Sequence, residues 1–288
     1  MDKNNQIAVM LLVNSNENQV NRLIRHLSED FDIYVHIDKR SSIKINELKN
    51  VYVYKEYKTY HSSCNQTVAT LFLLEKAFLK GYNRYLLISG QDLPIKSNKE
   101  IKSFFENNNK EYIDINKIPR SDGWPDNMNG LTKYNFYKIY IGNNSNIAKK
   151  LYEVIQTWFR KFSKIKPRKI DYDFYGGSNW TNYTHTCVKK IFEWLENNKK
   201  YIDRFKWTNS SDEIFYQTII NQLDGIFIEN DCLRYIDWQT GPEFPRTLRV
   251  EDYEKVINSN YLFARKFDEK ADNRIIEMIY KKIENEKY

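Results

Sequence analysis

The feature that constrains this chain most is a hydrophobic period that switches repeatedly along its first hundred residues. Ile7–Val13 is an unbroken apolar run, the pattern of a strand covered on both faces. Val20, Leu23, Ile24 and Leu27 then recur at the spacing of one helix face, with Asn14–Asn16 ahead of them as capping residues. The alternation continues: strand over Asp32–Asp38 and Val51–Tyr54, helix over Gln66–Phe78, strand over Tyr85–Ser89, and helix from Asn98 with Ile101, Phe104 and Phe105 inward. Strands that alternate with helices need crossover connections, so the expected fold is α/β, a mostly parallel central sheet with helices on both faces.

Beyond residue 108 the pattern loosens. Residues 116–145 carry Pro119, Gly123, Pro125, Gly130 and many Asn, which is loop chemistry. A helix is expected over Ile147–Phe162, running into the basic stretch 160–169. Helices over Thr186–Asn197, Asp212–Leu223 and 273–284, with strands over Ile226–Glu229 and Leu233–Asp237, complete the chain. There are no repeats and no interdomain linker, so residues 1–288 read as one domain.

Five segments carry candidate chemistry. HIDKRS (36–41) ends a strand, where ligands of open α/β sheets bind; Asp38 either caps a turn there or accepts hydrogen bonds from a base or ribose. SGQDLPIKS (89–97) follows the next buried strand. Gly90 admits close backbone approach, and Asp92 is expected to project into the crevice with Asp38. Its motif has Gly90 where a second carboxylate would complete an Asp-x-Asp pair, and one carboxylate makes a poor divalent-ion site. In YGGSNWTNYT (175–184), Trp180 lines a sugar pocket or is an ordinary core tryptophan. In SSDEIFYQTI (210–219), Ser210 and Glu213 match a capping box, or Glu213 stands at the mouth of the cleft. Arg234, Arg265 and Lys266 are cations on apolar, strand-like segments, where charge needs a partner; a diphosphate would serve.

Composition excludes some classes. Lys and Arg exceed Asp and Glu by 45 to 38, which attracts anions without saying which. Nucleic acid would call for a recognisable module or a concentrated basic face. Only 160–169 is a basic run, so no nucleic-acid partner is expected. Cys64, Cys187 and Cys232 form no pair, and the four histidines form no metal motif. Three unpaired thiols suit a reducing cytoplasm. Ile7–Val13 is too short to span a bilayer, so the expected location is cytoplasmic, with at most peripheral contact at the inner membrane face. The 22 tyrosines serve either as sugar-stacking surfaces or as ordinary core.

Six blocks, YVHIDKRS, YLLISGQDLPIKS, GGSNW, SSDEIFYQTI, LRYIDW and NYLFARKFD, fall in order over about residues 34–268. Together they resemble the core-2/I-branching β-1,6-N-acetylglucosaminyltransferases and the related peptide O-xylosyltransferases. The resemblance implies a GT-A-like, Rossmann-type fold, with a nucleotide-sugar-binding half at about 1–107 and an acceptor side with a diphosphate clamp at about 170–288. It implies a UDP-sugar donor, N-acetylglucosamine or xylose as the sugar, inversion, and no metal or other cofactor. By the same resemblance Glu213 is the catalytic base and Trp180 an acceptor residue. Asp38, Ser89, Gly90, Asp92, Arg234, Arg265 and Lys266 are donor-side residues. Lys266 holds the diphosphate with Arg234, although the long spacing leaves Arg246 or Arg249 open. The acceptor would be a glycan, a lipid-linked glycan or a protein hydroxyl, in surface glycan or polysaccharide biosynthesis. The competing readings are a peptide O-xylosyltransferase-like enzyme, a basic nucleic-acid-binding protein and a non-catalytic glycan-binding protein.

Overall fold

The computed structural model describes residues 6–60, 62–121 and 172–285, with single positions 130, 154, 155, 158 and 168 between them. Apart from those single positions, the helix expected over Ile147–Phe162, the loop chemistry beyond residue 121 and the basic run fall outside the described residues.

Twelve described strands run in chain order: β1 Ile7–Val13, β2 Asp32–Ile37, β3 Val51–Tyr54, β4 Arg84–Ser89, β5 Asp92–Pro94, β6 Lys110–Ile113, β7 Asn116–Lys117, β8 Tyr175–Gly176, β9 Thr181–Thr184, β10 Phe227–Glu229, β11 Arg234–Ile236 and β12 Phe263–Arg265. Seven of them form the central sheet in the order β10-β6-β9-β4-β1-β2-β3. β1 lies parallel to β2 and β4, and β3 parallel to β2. β10 is parallel to β6, whereas β9 runs antiparallel to both β4 and β6. The sheet is therefore mostly parallel, as the alternation required.

Successive side chains of a strand point to opposite faces, so the sheet splits the apolar residues into two cores. Val9, Leu11, Ile33, Val35, Leu86 and Ile88 share one with residues of the helices Glu17–Leu27, Asn98–Phe105 and Asn273–Asn285. Ala8, Met10, Tyr34, Tyr85 and Leu87 share the other with Cys64–Phe78 and His185–Asn197. Fully burying each large aliphatic chain contributes about 1.5–3 kcal/mol. The second core explains much of the tyrosine content. Tyr34, Tyr82, Tyr85, Tyr183, Tyr201 and Tyr216 are all buried in it, and Tyr201 and Tyr216 donate to the Phe215 and Thr67 carbonyls at 2.9 and 3.2 Å.

Local caps follow sequence in one place and depart from it in another. Ser97 and Glu100 form a full capping box at the Asn98–Phe105 helix. The matching spacing at Ser210 and Glu213 does not. Ser210 is left-handed (φ 50°) with no side-chain cap bond, and Ser211–Glu213 is a 3-10 turn. The helix expected over Asp212–Leu223 is confined to Phe215–Ile220.

A second sheet, ordered β11-β12-β5, stands beside the first. β11 and β12 are parallel, and β5 is antiparallel to β12, with Arg265 opposite Asp92. Among the described residues no helix is long and apolar enough to cross a membrane.

Candidate active site

The central register brings three strand ends together. Leu12 is level with both His36 and Ser89. The Asp38 amide donates to the Val13 carbonyl at 2.9 Å, and the Gly90 amide to that of Leu12 at 3.1 Å. HIDKRS and SGQD therefore flank β1 at the carboxyl ends of the sheet, where such folds bind ligands.

Asp38 is buried, and its carboxylate is already engaged. It accepts from the Arg40 amide at 2.8 Å, from the Arg40 guanidinium at 3.1 and 2.7 Å, and from the Thr59 hydroxyl at 2.9 Å. Burial raises the pKa of its carboxyl, but the bonds from Arg40 and Thr59 outweigh burial and hold it below the ordinary carboxylate value. The groups left facing outward are Arg40, 39% exposed, and Tyr60, whose ring lies 4.0 Å from the Arg40 guanidinium carbon. Sequence reasoning missed both. The signal was the fixed charge pair in HIDKR, two residues apart.

Asp92 does not project into that crevice. Its side chain and that of Arg234 are both 0% exposed, with Arg234 Nε 3.4 Å from one carboxylate oxygen and Arg265 3.5 Å from the other. The Ser89 amide donates to it at 2.8 Å, and the Ser89 hydroxyl also bonds to it. The buried cations on β11 and β12 do have the partner their surroundings demand, but that partner is a carboxylate of the same chain. Arg234 also donates to the Cys232 and Leu87 carbonyls. Asp92 and Arg234, expected on the donor side, are enclosed side chains that pair with each other in the wall of the site.

Trp180 is placed in that wall as well. It is 6% exposed, with the Arg265 guanidinium 4.1 Å from its ring centroid and that of Arg234 at 5.2 Å. The core reading of Trp180 is the one the geometry favours. Gly90 packs closely: a Cβ there would meet Val20 Cγ2 at 2.8 Å, so that side chain would have to move. Gly177 is stricter, because a Cβ would lie 1.9 Å from the Asp114 carbonyl oxygen.

Lys266 and Arg246 are less deeply buried than Arg234. Lys266 follows β12, and its carbonyl accepts from the Leu248 amide at 2.9 Å. Arg246 sits on the facing loop, where its amide donates to the Asp237 carbonyl at 2.9 Å, just past β11. Their side chains are 19% and 17% exposed. Lys266 lies 3.7 Å from Glu243, while Arg246 pairs with Asp237 at 3.1 Å and with Asp252. Asp237 is held well below the ordinary carboxylate range, first by hydrogen bonds from Thr240, then by the Gln239 amide and Arg246. Arg249 is turned to the Ala271 carbonyl at 2.9 Å.

Glu213 is partly exposed on its 3-10 turn. Its carbonyl accepts from the Gly177 amide at 2.9 Å. Ser178 is tied to Asp114 and Gln217, each at 2.8 Å, and Trp180 follows beneath Arg265. The 175–180 segment thus joins the Glu213 turn to the wall behind Lys266. Among the described residues, no three His, Cys, Asp or Glu side chains converge as metal ligands do.

No curated protein matches the chain. Among solved structures it is similar to a glycosyltransferase involved in the glycosylation of the major capsid of PBCV-1, at 10% identity and a TM-score of 0.41, covering 95% of this chain and 99% of that one. The family model described as Core-2/I-Branching enzyme matches residues 7–258. That span takes in the whole central sheet, the strand-end segments at 36–41 and 89–97 and the Glu213 turn, and the chain therefore belongs to the core-2/I-branching family of glycosyltransferases.

Proposed function

We propose that this enzyme is an inverting, metal-independent glycosyltransferase that moves N-acetylglucosamine or xylose from a UDP-sugar to an acceptor hydroxyl, in surface glycan or polysaccharide biosynthesis. The observation that carries this reading is the pair of partly exposed cations, Lys266 and Arg246, on two hydrogen-bonded segments past the carboxyl ends of β11 and β12. A guanidinium beside an ammonium matches a diphosphate, with the fork binding two oxygens and the ammonium acting as a point charge. The leaving UDP gains negative charge as the glycosidic bond breaks, so fixed cations stabilise the transition state more than the ground state. Arg246 takes the arginine role in preference to Arg234, which has no exposed side chain.

The wall supports independence from metal. The Asp92 carboxylate is enclosed by two guanidiniums and by Ser89, surroundings that repel a divalent cation. The nucleoside lies against residues 36–41 and 55–60, with Asp38 ordering Arg40 and Thr59 and with Tyr60 offering a ring face. On the opposite side Glu213 is the base. The acceptor hydroxyl is a poor nucleophile until its proton is removed, and a single displacement requires that base on the face away from the leaving group. The acceptor is a glycan, a lipid-linked glycan or a protein hydroxyl.

Incubation of the purified enzyme with a panel of nucleotide sugars tests this reading. Slow hydrolysis of a UDP-sugar, or transfer in the presence of acceptor, is the expected result. Salt-sensitive DNA binding without turnover of any nucleotide sugar would reject it.

A further inference from the structure

Residues 55–60 lie along the end of β2 and are fastened to residues 36–41 at several points. The Lys39 amide donates to the Tyr57 carbonyl at 2.9 Å. Thr59 donates to Asp38 at 2.9 Å. Arg40 reaches the Thr59 carbonyl at 3.4 Å and covers the Tyr60 ring. One further tether differs in kind, because a titratable group accepts it: the Tyr57 amide donates to His36 Nε2 at 3.1 Å.

His36 is 1% exposed and stacks on Tyr57, with centroids 5.7 Å apart and planes at 23°. A ring nitrogen that accepts a hydrogen bond carries no proton, so the ring is neutral with its proton on Nδ1. Nδ1 is buried and has no hydrogen-bond partner among the described residues. The bond at Nε2 is a fixed polar contact of this side chain with the 55–60 segment.

We propose that neutral His36 is a positioning residue, the latch that holds residues 55–60, with Thr59 and Tyr60, against Asp38 and Arg40, and that protonation at Nε2 releases the segment and weakens nucleotide binding. The nucleotide part rests on the reading that these two segments take the donor's nucleoside. Protonated Nε2 would turn a donor toward the Tyr57 amide, itself a donor, and leave both without an acceptor in a buried place.

The groups facing the ring set the direction of the pH response. Burial is the largest influence and disfavours the cation. Asp38 just past the end of its own strand, Glu56 beside Tyr57 and the backbone of His36 itself favour it but do not prevail, so His36 titrates below the ordinary histidine value. Tyr54, level with His36 on β3, and Leu12, level with it on β1, carry no charge at neutral pH. The Cys64–Phe78 helix presents Phe72 to Tyr54 and Tyr57. With the closed-state pKa depressed, the latch is complete above about pH 6.5 and is lost as pH falls through the lower value.

Hydrogen exchange at the Tyr57 amide and calorimetric titration with UDP test the latch together. His36→Phe keeps a ring on Tyr57 but removes the acceptor. His36→Gln restores an acceptor that does not titrate. Expected for the Phe variant are at least about tenfold faster Tyr57 exchange and about tenfold weaker UDP binding, a difference of about 1.4 kcal/mol. The Gln variant should recover both. As pH is lowered from about 6.5 to the acid limit of the folded state, wild type should lose more UDP affinity than the Gln variant, a comparison in which the titration of UDP itself cancels. Unchanged exchange in the Phe variant would overturn the latch. So would equal pH dependence in wild type and the Gln variant, or faster exchange with no loss of affinity. If wild-type protein binds no UDP, the nucleotide reading fails, and the Tyr57 amide alone then decides for or against the latch.

Discussion

Asp92→Asn separates a wall carboxylate from one that serves the donor. In the structure one carboxylate with no exposure balances Arg234 and Arg265 at 3.4 and 3.5 Å and accepts from the Ser89 amide. The amide side chain keeps the shape and an acceptor for Ser89, but it removes the anion between two enclosed guanidiniums. Breaking a buried pair in this way costs about 3–5 kcal/mol. A domain is stable by about 5–15 kcal/mol, so the variant should still fold at room temperature. With an unfolding entropy of about 2.1 cal/mol/K per residue, 288 residues give about 0.6 kcal/mol/K, and Tm should fall by about 5–8 °C. Calorimetric melting of wild type and variant measures this directly. Arg265→Gln in the Asp92→Asn background removes one of the stranded cations and should recover part of the loss. A fall of less than about 2 °C together with abolished turnover would refute the reasoning, since Asp92 would then act on the substrate and not on the frame.

Other outcomes follow from the same geometry. Lys266→Ala and Arg246→Ala should each lower kcat/KM by about 100-fold or more with little change in Tm, the scale of losing one electrostatic stabiliser; steady-state kinetics with near wild-type turnover would remove that residue from the clamp. Arg234→Ala should instead act on stability, because it strips the buried partner from Asp92. Transfer should survive excess EDTA, and loss restored by Mn²⁺ or Mg²⁺ would overturn metal independence. Asp38 has a depressed folded-state pKa, so its contribution is complete above about pH 3.9 and lost as pH falls through the lower value; Asp38→Asn should flatten the acid limb of a stability-versus-pH series.

The half of the fold that was legible from sequence is the half whose strands are long and buried on both faces. Ile7–Val13 and Tyr85–Ser89 are such runs, and both lie in strands of the central sheet. β6 and β9 were not legible. Lys110–Ile113 and Thr181–Thr184 are four residues each, without a clear period, and they are strands because they close the sheet between β4 and β10. The site divides in the same way. Charges on apolar strands do need a partner, and Arg234 and Arg265 have one. Which partner depends on β5 pairing with β12, a contact between distant parts of the chain that no local spacing records. The spacing of Ser210 and Glu213 matched a capping box, but the left-handed backbone at Ser210 rules that out. The neutral tautomer of His36 was likewise invisible, since it is fixed by an amide twenty-one residues away in the chain.

In the proposed mechanism Glu213 removes the acceptor proton in a single displacement. With no capping box at Ser210, a change at Glu213 does not also remove a helix cap, so chemistry and folding can be read separately. The decisive measurement is the transfer rate of Glu213→Gln, taken with its melting curve and its UDP affinity. The expected variant is a folded protein that binds UDP like wild type and transfers sugar about 10²–10⁴-fold more slowly. A Glu213→Gln enzyme that transfers sugar at close to the wild-type rate would contradict that mechanism.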